Sequence, residues 1–479
     1  MLPALKTPDR DLIARFALLA GDGGAIVDPS GQAKYLREWR DRYVGRTPIV
    51  LRPSNTAQVS EILALANAER IGIVPQGGNT GLVGGQIPFE KGTEIVLSLE
   101  RMNRVRDADA AGNCIAADAG ATLKSIQDAA ADIDRLFPLS LGSEGTCQIG
   151  GNLATNAGGI HVLRYGNTRD LALGIEAVFA DGRVWNGLKK LRKDNTGYDL
   201  KNLLIGSEGT LAVITAATLK LFSQPKEVST VWAGVPNLNA AGALFTRAFE
   251  QAGPLLTAFE LMPRILIDFS LKHFSGARDP LGERHPWYVL FEISSPLAEG
   301  IAERVTMALL EAALEDGVVT DAAIAASVSQ AQNFWSMREG MPDVQKHEGG
   351  SIKHDISVPV SSIPRFIEEA SAAVEKLVPG ARPVPFGHFG DGNIHFNITQ
   401  PAAMEKAAFL ARWDDVAHAV HAIVLRMNGS ISAEHGIGRM KAAAMDGIKS
   451  PVEMDAMRGI KLALDPNGIL NPGKLFTRL

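Results

Sequence analysis

Residues 142–159 read GSEGTCQIGGNLATNAGG, with glycine at six of eighteen positions and few large side chains. Such a stretch is too poor in apolar bulk to serve as core. Glycine lets backbone N–H groups come close to a ligand and tolerates positive φ. Clustered N–H groups form nests for anions such as phosphate. A flexible surface loop is the plainer reading, but two echoes in the chain count against it. GSEGT recurs word for word at 206–210, and a second glycine-dense loop, PQGGNTGLVGG, occupies 75–85.

The surrounding composition is that of an ordinary globular protein. Of 479 residues 46% are hydrophobic and 21% charged. That length suggests two to three domains and ample core. The net charge of −5, with no long Lys/Arg run, argues against a nucleic-acid platform. Cys114 and Cys147 make neither a CxxC pair nor a zinc-ribbon spacing. A reducing compartment follows, and a cytoplasmic protein is expected. No apolar run approaches the ~18 residues of a membrane span, and the acidic N-terminal region lacks a signal-peptide or transit-peptide layout.

Periodicity divides the chain near residue 225. The first thirty-odd residues read as a helix followed by a Gly/Asp turn at 21–24. Before 225, short strands are expected at 49–53, 71–75, 94–99 and 114–119, and helices at 56–69 and 122–131. A hairpin turns at Asp181-Gly182, and a long strand covers 210–222. Beyond 225 the glycine loops stop. Strands are expected at 230–235, 257–262, 287–294, 353–358 and 393–399. Ala-rich helices are expected at 240–251, 297–316, 363–377 and 405–427. This is an α+β pattern, an antiparallel sheet covered by helices. From 429 a last glycine-bearing loop, SAEHGIGRMK, leads into a tail expected to fold back onto the first domain.

The glycine loops suggest a dinucleotide, yet G-x-G-x-x-G and G-x-x-x-x-G-K-[ST] are both absent. Three separated loops imply an extended cofactor laid along several segments. The series PQGGNTGLVGG, GSEGTCQIGGNLATNAGG and KDNTGYDLKNLLIGSEGTLAVIT resembles the FAD domain of the vanillyl-alcohol oxidase (PCMH-type) superfamily. The resemblance implies FAD contacts at Gln76, Gly77, Gly78, Asn79, Thr80 and Gly81. It implies others at Gly142, Ser143, Gly150, Asn152, Thr155, Asn156 and Gly158, and at Glu208, Gly209 and Ile214. Some members attach FAD through a histidine in the first loop. Asn79 stands there in this chain, so non-covalent FAD is expected.

A second informative segment is GHFGDGNIHFN at 387–397. His388 and His395 flank a Gly-Asp-Gly turn that can fold both toward one point, as metal ligands require, and imidazole suits zinc and its neighbours. Satisfied loop histidines are the competing reading of that pair alone. Glu434, in SAEHG, can complete a His2Glu site with an open position, the form a catalytic metal needs. Asp391 reads as the former of the turn.

Together these segments resemble the D-2-hydroxy-acid dehydrogenase branch of the superfamily, closest to its D-2-hydroxyglutarate dehydrogenases. The resemblance implies His388, His395 and Glu434 as ligands of a divalent metal, with zinc the first choice. It implies His435 as base, and Arg338, Lys353 and Asn397 as carboxylate-binding residues. Pro342 departs from the pattern, since such enzymes can carry a threonine there that contacts substrate. The expected domains are a FAD-binding domain at 1–225, a cap or substrate domain at 226–424, and a C-terminal segment at 425–479. The expected reaction is oxidation of a small D-2-hydroxy acid (D-2-hydroxyglutarate first, also D-malate) to the 2-oxo acid by hydride transfer to flavin. The electron acceptor is expected to be an electron-transfer flavoprotein, with a quinone or cytochrome as alternatives; a homodimer is one assembly left open. The competing functions are a D-lactate or glycolate dehydrogenase or oxidase, and a FAD-binding relative without redox turnover.

Overall fold

A computed structural model describes residues 4–477; residues 1–3 and 478–479, which fall within the expected first and last domains, lie outside it. By internal contacts the chain forms two units. The first comprises residues up to 157, 167–224 and 434 onward. The second comprises 158–166 and 225–433.

Among the described residues the first unit holds two larger sheets and a two-stranded one, Arg135–Leu136 with Phe222–Ser223. One runs in the order Ala25–Ile26, Val50–Leu51, Ile95–Ser98, Ile73–Gln76, and its last three strands are parallel. Parallel strands need a crossover, and the helix Thr56–Glu69 supplies it. Asn55 caps that helix by accepting from the Gln58 N–H, and Arg70 ends it in the left-handed region. Val59, Ile62, Leu63 and Ala66 repeat at helical spacing and are fully buried. Each large aliphatic side chain so buried contributes about 1.5–3 kcal/mol. The second sheet is antiparallel, in the order Val105–Asp109, Cys114–Asp118, Val213–Lys220, Ala172–Val178, Val184–Gly187.

The C-terminal tail lies on the first of these sheets. The Ile73 N–H donates to the Ile469 carbonyl, and the Asn471 N–H to the Ile73 carbonyl, both at 2.8 Å. Lys461 is buried and donates to the carbonyls of Thr210 and Leu470 and to Asp465. The N-terminal region differs from the sequence expectation. Its helix spans Arg10–Leu19, and a second, Pro29–Leu36, follows the glycine turn with Asp28 as its cap.

The second unit is built on an eight-stranded sheet, antiparallel at every pairing. The strand Arg382–His388, which pairs along Asn393–Thr399, is not among the expected strands. Pro383 and Pro385 hide it, because proline lacks the N–H of a ladder. Here the neighbour on the other side, Leu256–Pro263, pairs only at Gly387 and His388, beyond both prolines. The strand expected at 353–358 is two short ones, Ser351–Ile352 and Asp355–Ser357, interrupted at Lys353-His354. One face of the sheet packs Phe259 and Phe291 under the helix Leu238–Ala252, whose Phe245 ring meets Phe259 edge-on. Trp232, Met262, Val384 and Phe386 belong to a second cluster with Phe334, Met337 and Met341.

The unit boundary falls at 433/434, where the sequence reading places it at 424/425. The reason is local: Ser430 bridges to Ser357 through two backbone hydrogen bonds, which ties residues 425–433 to the sheet.

Candidate active site

In the first unit the glycine loops wall one cavity of about 930 Å³, counting the space open at its mouth. Gln76, Gly77, Gly78, Asn79, Thr80, Gly81, Gly150, Asn152, Thr155, Glu208, Gly209 and Ile214 line it, with His435 and Asn471. Close approach makes these walls possible. A Cβ on Gly78 would lie 2.0 Å from the Thr146 carbonyl oxygen, so only glycine lets the two loops meet.

Four expected cofactor residues stand elsewhere. Ser143 shapes its own loop, its carbonyl accepting from the N–H groups of Thr146 and Cys147. Asn156 ends the helix Ile149–Thr155 in the left-handed region and accepts from the Arg169 N–H. Gly142 is exposed, and Gly158 falls in the second unit. That short helix is itself a departure from the sequence reading, which saw only loop there.

Four residues of the cavity wall carry unpaired amide oxygens. Gln76 Oε1, Gln148 Oε1, Asn152 Oδ1 and Asn471 Oδ1 are buried without a partner. Two of these orientations are set by the amide's other end. Gln76 Nε2 donates to the carbonyls of Tyr35 and Gln86, and Asn471 Nδ2 to those of Gly85 and Glu208. Leaving such groups unpaired is costly. Gln76, Gln148, Asn152 and Asn471 all line the cavity, so its wall is built in part from amide side chains, which suits a ligand with several polar groups. Asn79 belongs to the frame: it sits at φ +57, donates to the carbonyls of Lys34 and Arg37, and accepts from Gln86.

The second unit carries His388, His395 and Asn397 on two adjacent strands, Arg338 on the helix Val328–Glu339 and Lys353 between two short strands, while Glu434 falls in the first unit. Phe386 pairs with His395, so His388 is its diagonal neighbour across the hairpin. The two imidazole centroids are 5.4 Å apart. A spacing of seven works because strand side chains alternate with a period of two about the turn. Asp391 Oδ1 accepts from the Asn393 N–H, as a turn-former does, and burial pushes its carboxyl up to about 6. Glu260 lies directly opposite His388 and Asp355 opposite His395.

Glu260 was not foreseen. It is fully buried; its Oε1 lies 2.6 Å from His388 Nδ1, and its Oε2 accepts from Arg338 Nε and Nη2 at 2.9 and 2.6 Å. Burial alone would raise its pKa; the charges of His388 and Arg338 outweigh that and hold it at about 2. The signal available in the sequence was a lone carboxylate inside the apolar run AFELM. Arg338 therefore spends two N–H groups on Glu260, and its guanidinium stacks 5.0 Å over the Phe386 ring. Lys353 Nζ reaches the Pro342 carbonyl at 3.4 Å. Asn397 donates through Nδ2 to Gln345 Oε1, and Gln345 in turn to Thr399.

A groove walled by glycine loops and amide side chains defines a protein of the class that cradles an extended nucleotide cofactor. The chain belongs to the FAD-linked oxidase family, a family of flavin-dependent oxidoreductases: a model described as "FAD linked oxidases, C-terminal domain" matches residues 224–475, and one described as "FAD binding domain" matches 47–187. A probable mitochondrial D-2-hydroxyglutarate dehydrogenase of Oryza sativa subsp. indica is 37% identical, over 99% of this chain and 83% of the relative. The D-2-hydroxyglutarate dehydrogenase of Xanthomonas citri pv. viticola is also 37% identical, over 94% of this chain and 93% of the relative. Among solved structures, a p-cresol methylhydroxylase with substrate bound superposes with a TM-score of 0.75 at 14% identity, over 97% of this chain and 96% of that one. That likeness shows a shared PCMH-type fold of mixed helices and antiparallel sheets. Among the described residues no helix is long and apolar enough to cross a membrane.

Proposed function

We propose that the chain oxidises a D-2-hydroxy acid, D-2-hydroxyglutarate first, to the corresponding 2-oxo acid. The observation that carries this reading is His435 on the wall of the cofactor cavity, which Gly209 and Ile214 also line. A histidine there can take the substrate hydroxyl proton. FAD bound along the glycine loops would supply the acceptor for the C2 hydride, and His435 is the group of this chain that takes the hydroxyl proton, leaving a carbonyl at C2. The cofactor is held without a covalent bond, Asn79 standing where other members carry histidine.

His388, His395 and Glu434 are the proposed ligands of a divalent ion, zinc by choice of donors, which when bound polarises the hydroxyl oxygen. The donor chemistry fits. Glu260 on Nδ1 fixes the tautomer of His388, an outer-shell arrangement common at metal-binding histidines. The Ala433 N–H donates to the Asp355 carbonyl, and Asp355 pairs with His395; Glu434 is the next residue in the chain. Arg338, Lys353 and Asn397 are the proposed carboxylate-binding residues, with Arg338 and Lys353 neutralising the substrate carboxylates.

Relatives named D-2-hydroxyglutarate dehydrogenases, aligned over 94–99% of this chain, support the choice of acid. We place the protein in the cytoplasm, in keeping with its two free, buried cysteines, and propose an electron-transfer flavoprotein as acceptor, a quinone or cytochrome being the alternatives. The test is anaerobic flavin bleaching by D-2-hydroxyglutarate, D-malate and D-lactate, each with and without a chelator. The flavin should bleach fastest with D-2-hydroxyglutarate and slowly after chelation. A flavin that stays yellow with all three acids ends this reading.

A further inference from the structure

We propose that Glu208 is a positioning residue for His435: its carboxylate holds the turn that immediately follows that histidine. The inference rests on the proposed role of His435 and adds a residue to it. The family resemblance casts Glu208 as a cofactor contact, and it does line the cavity. Its side chain is engaged otherwise. Oε1 accepts the Ile437 N–H at 2.8 Å and Oε2 accepts the Gly438 N–H at 2.7 Å. A carboxylate gripping two successive amides defines the place of the peptide between them, two and three residues beyond His435. It also turns its charge toward amide hydrogens; facing the cavity, that charge would repel a cofactor's phosphates.

Everything around the clamp is arranged to keep it closed. Glu208 adopts φ +53, a conformation a side-chain-bearing residue rarely takes. Its N–H donates to the Ala154 carbonyl, and its own carbonyl accepts from Asn471 Nδ2, so the strained residue is pinned from both sides. On the clamped side the geometry excludes side chains. A Cβ on Gly436 would lie 2.9 Å from Glu208 Oε1, and one on Gly438 would lie 2.5 Å from the Val83 carbonyl oxygen. Both glycines have positive φ. The N–H groups of Arg439 and Met440 then donate to that same Val83 carbonyl at 3.0 and 3.2 Å. The loop after His435 is thus held by Glu208 on one flank and by the 75–85 loop on the other. The GSEGT at 206–210 thus anchors the turn at 437–438, whereas in the GSEGT at 142–146 the corresponding Glu144 accepts from Gln127 Nε2.

Glutamine and aspartate each break this clamp differently. Glu208→Gln puts an amide NH2 where one N–H donor needs an acceptor. Glu208→Asp keeps the charge and falls one methylene short. The test uses both variants as purified, FAD-loaded protein, with hydrogen–deuterium exchange resolved over residues 436–440. In each, exchange at the Ile437 and Gly438 amides should rise by about tenfold or more, the loss of one hydrogen bond's protection, with bound FAD per chain unchanged. Flavin reduction at saturating substrate should slow by a similar factor. The same substitution added to His435→Gln should slow it no further, because a residue acting through His435 has nothing left to position. Unchanged exchange at those amides overturns the proposal, as does loss of FAD in step with the loss of rate, or an undiminished effect in the His435→Gln background. The exchange arm needs no substrate. If wild-type flavin is reduced by no D-2-hydroxy acid, the function reading fails while the clamp is still decided.

Discussion

Glu260 and His388 face each other across adjacent strands with 2.6 Å between Oε1 and Nδ1, while the other oxygen of Glu260 takes two donors of Arg338. One buried carboxylate thus orients a proposed metal ligand and a proposed substrate-binding arginine together. Glu260→Gln should weaken zinc binding about 10–100-fold, the usual cost of losing such a partner, and leave FAD content intact. Competition with a chromophoric chelator measures the first and flavin absorbance the second. Zinc affinity equal to wild type would show that His388 needs no such partner. Glu260→Ala, which strands Arg338 in the interior, should also cost about 3–5 kcal/mol of stability.

The orphaned amides of the cavity make a separate prediction. Asn152→Leu replaces a polar side chain of the cavity wall, in a short helix that tolerates leucine. FAD affinity should fall about tenfold, near the worth of one hydrogen bond, ~1–1.5 kcal/mol. Titrating apo-protein with FAD and following quenching of flavin fluorescence reads this directly. Acid precipitation of the loaded protein, which prepares that apo form, should leave a colourless pellet, since Asn79 offers no covalent attachment.

Pro342 is the point where the chain departs from its resemblance. It sits in the first turn of the helix Met341–Val344, a position open to threonine, and its carbonyl accepts from Lys353 through the backbone, which a substitution retains. Pro342→Thr adds a hydroxyl donor near the proposed distal pocket. KM for D-2-hydroxyglutarate should fall by about three- to tenfold, with KM for D-lactate unchanged because it lacks a distal carboxylate. Equal effects on both acids would place that carboxylate elsewhere.

Acid stability gives the fourth. Burial would raise the Glu348 carboxyl, but hydrogen bonds from Lys272, His273 and Arg382 outweigh it and hold it at about 2 against an ordinary 4.5. A depressed carboxylate stabilises the fold above its unfolded pKa and loses that contribution as pH falls through the folded value. Glu348→Gln should therefore be less stable than wild type at neutral pH. The gap should narrow from about pH 4.5 down toward about pH 2. Urea midpoints across that range measure it; a gap independent of pH would remove the charge from the account.

What the sequence by itself determined is the part written in local pattern. The three glycine loops, the break near 225, the helix Thr56–Glu69 and the tail's return are all legible, because backbone freedom, apolar period and proline placement act over a few residues. His388 and His395 were legible as a pair because a tight turn and a period of two place them together. Only the tertiary structure decided the rest. Strand Arg382–His388 was concealed by Pro383 and Pro385 until its neighbour proved to pair only beyond them. Glu260 comes to His388 and Arg338 across 128 and 78 residues of chain. Glu208 meets Ile437 and Gly438 across more than two hundred. A carboxylate's partner is set by which strands and loops lie side by side, and no local spacing encodes that.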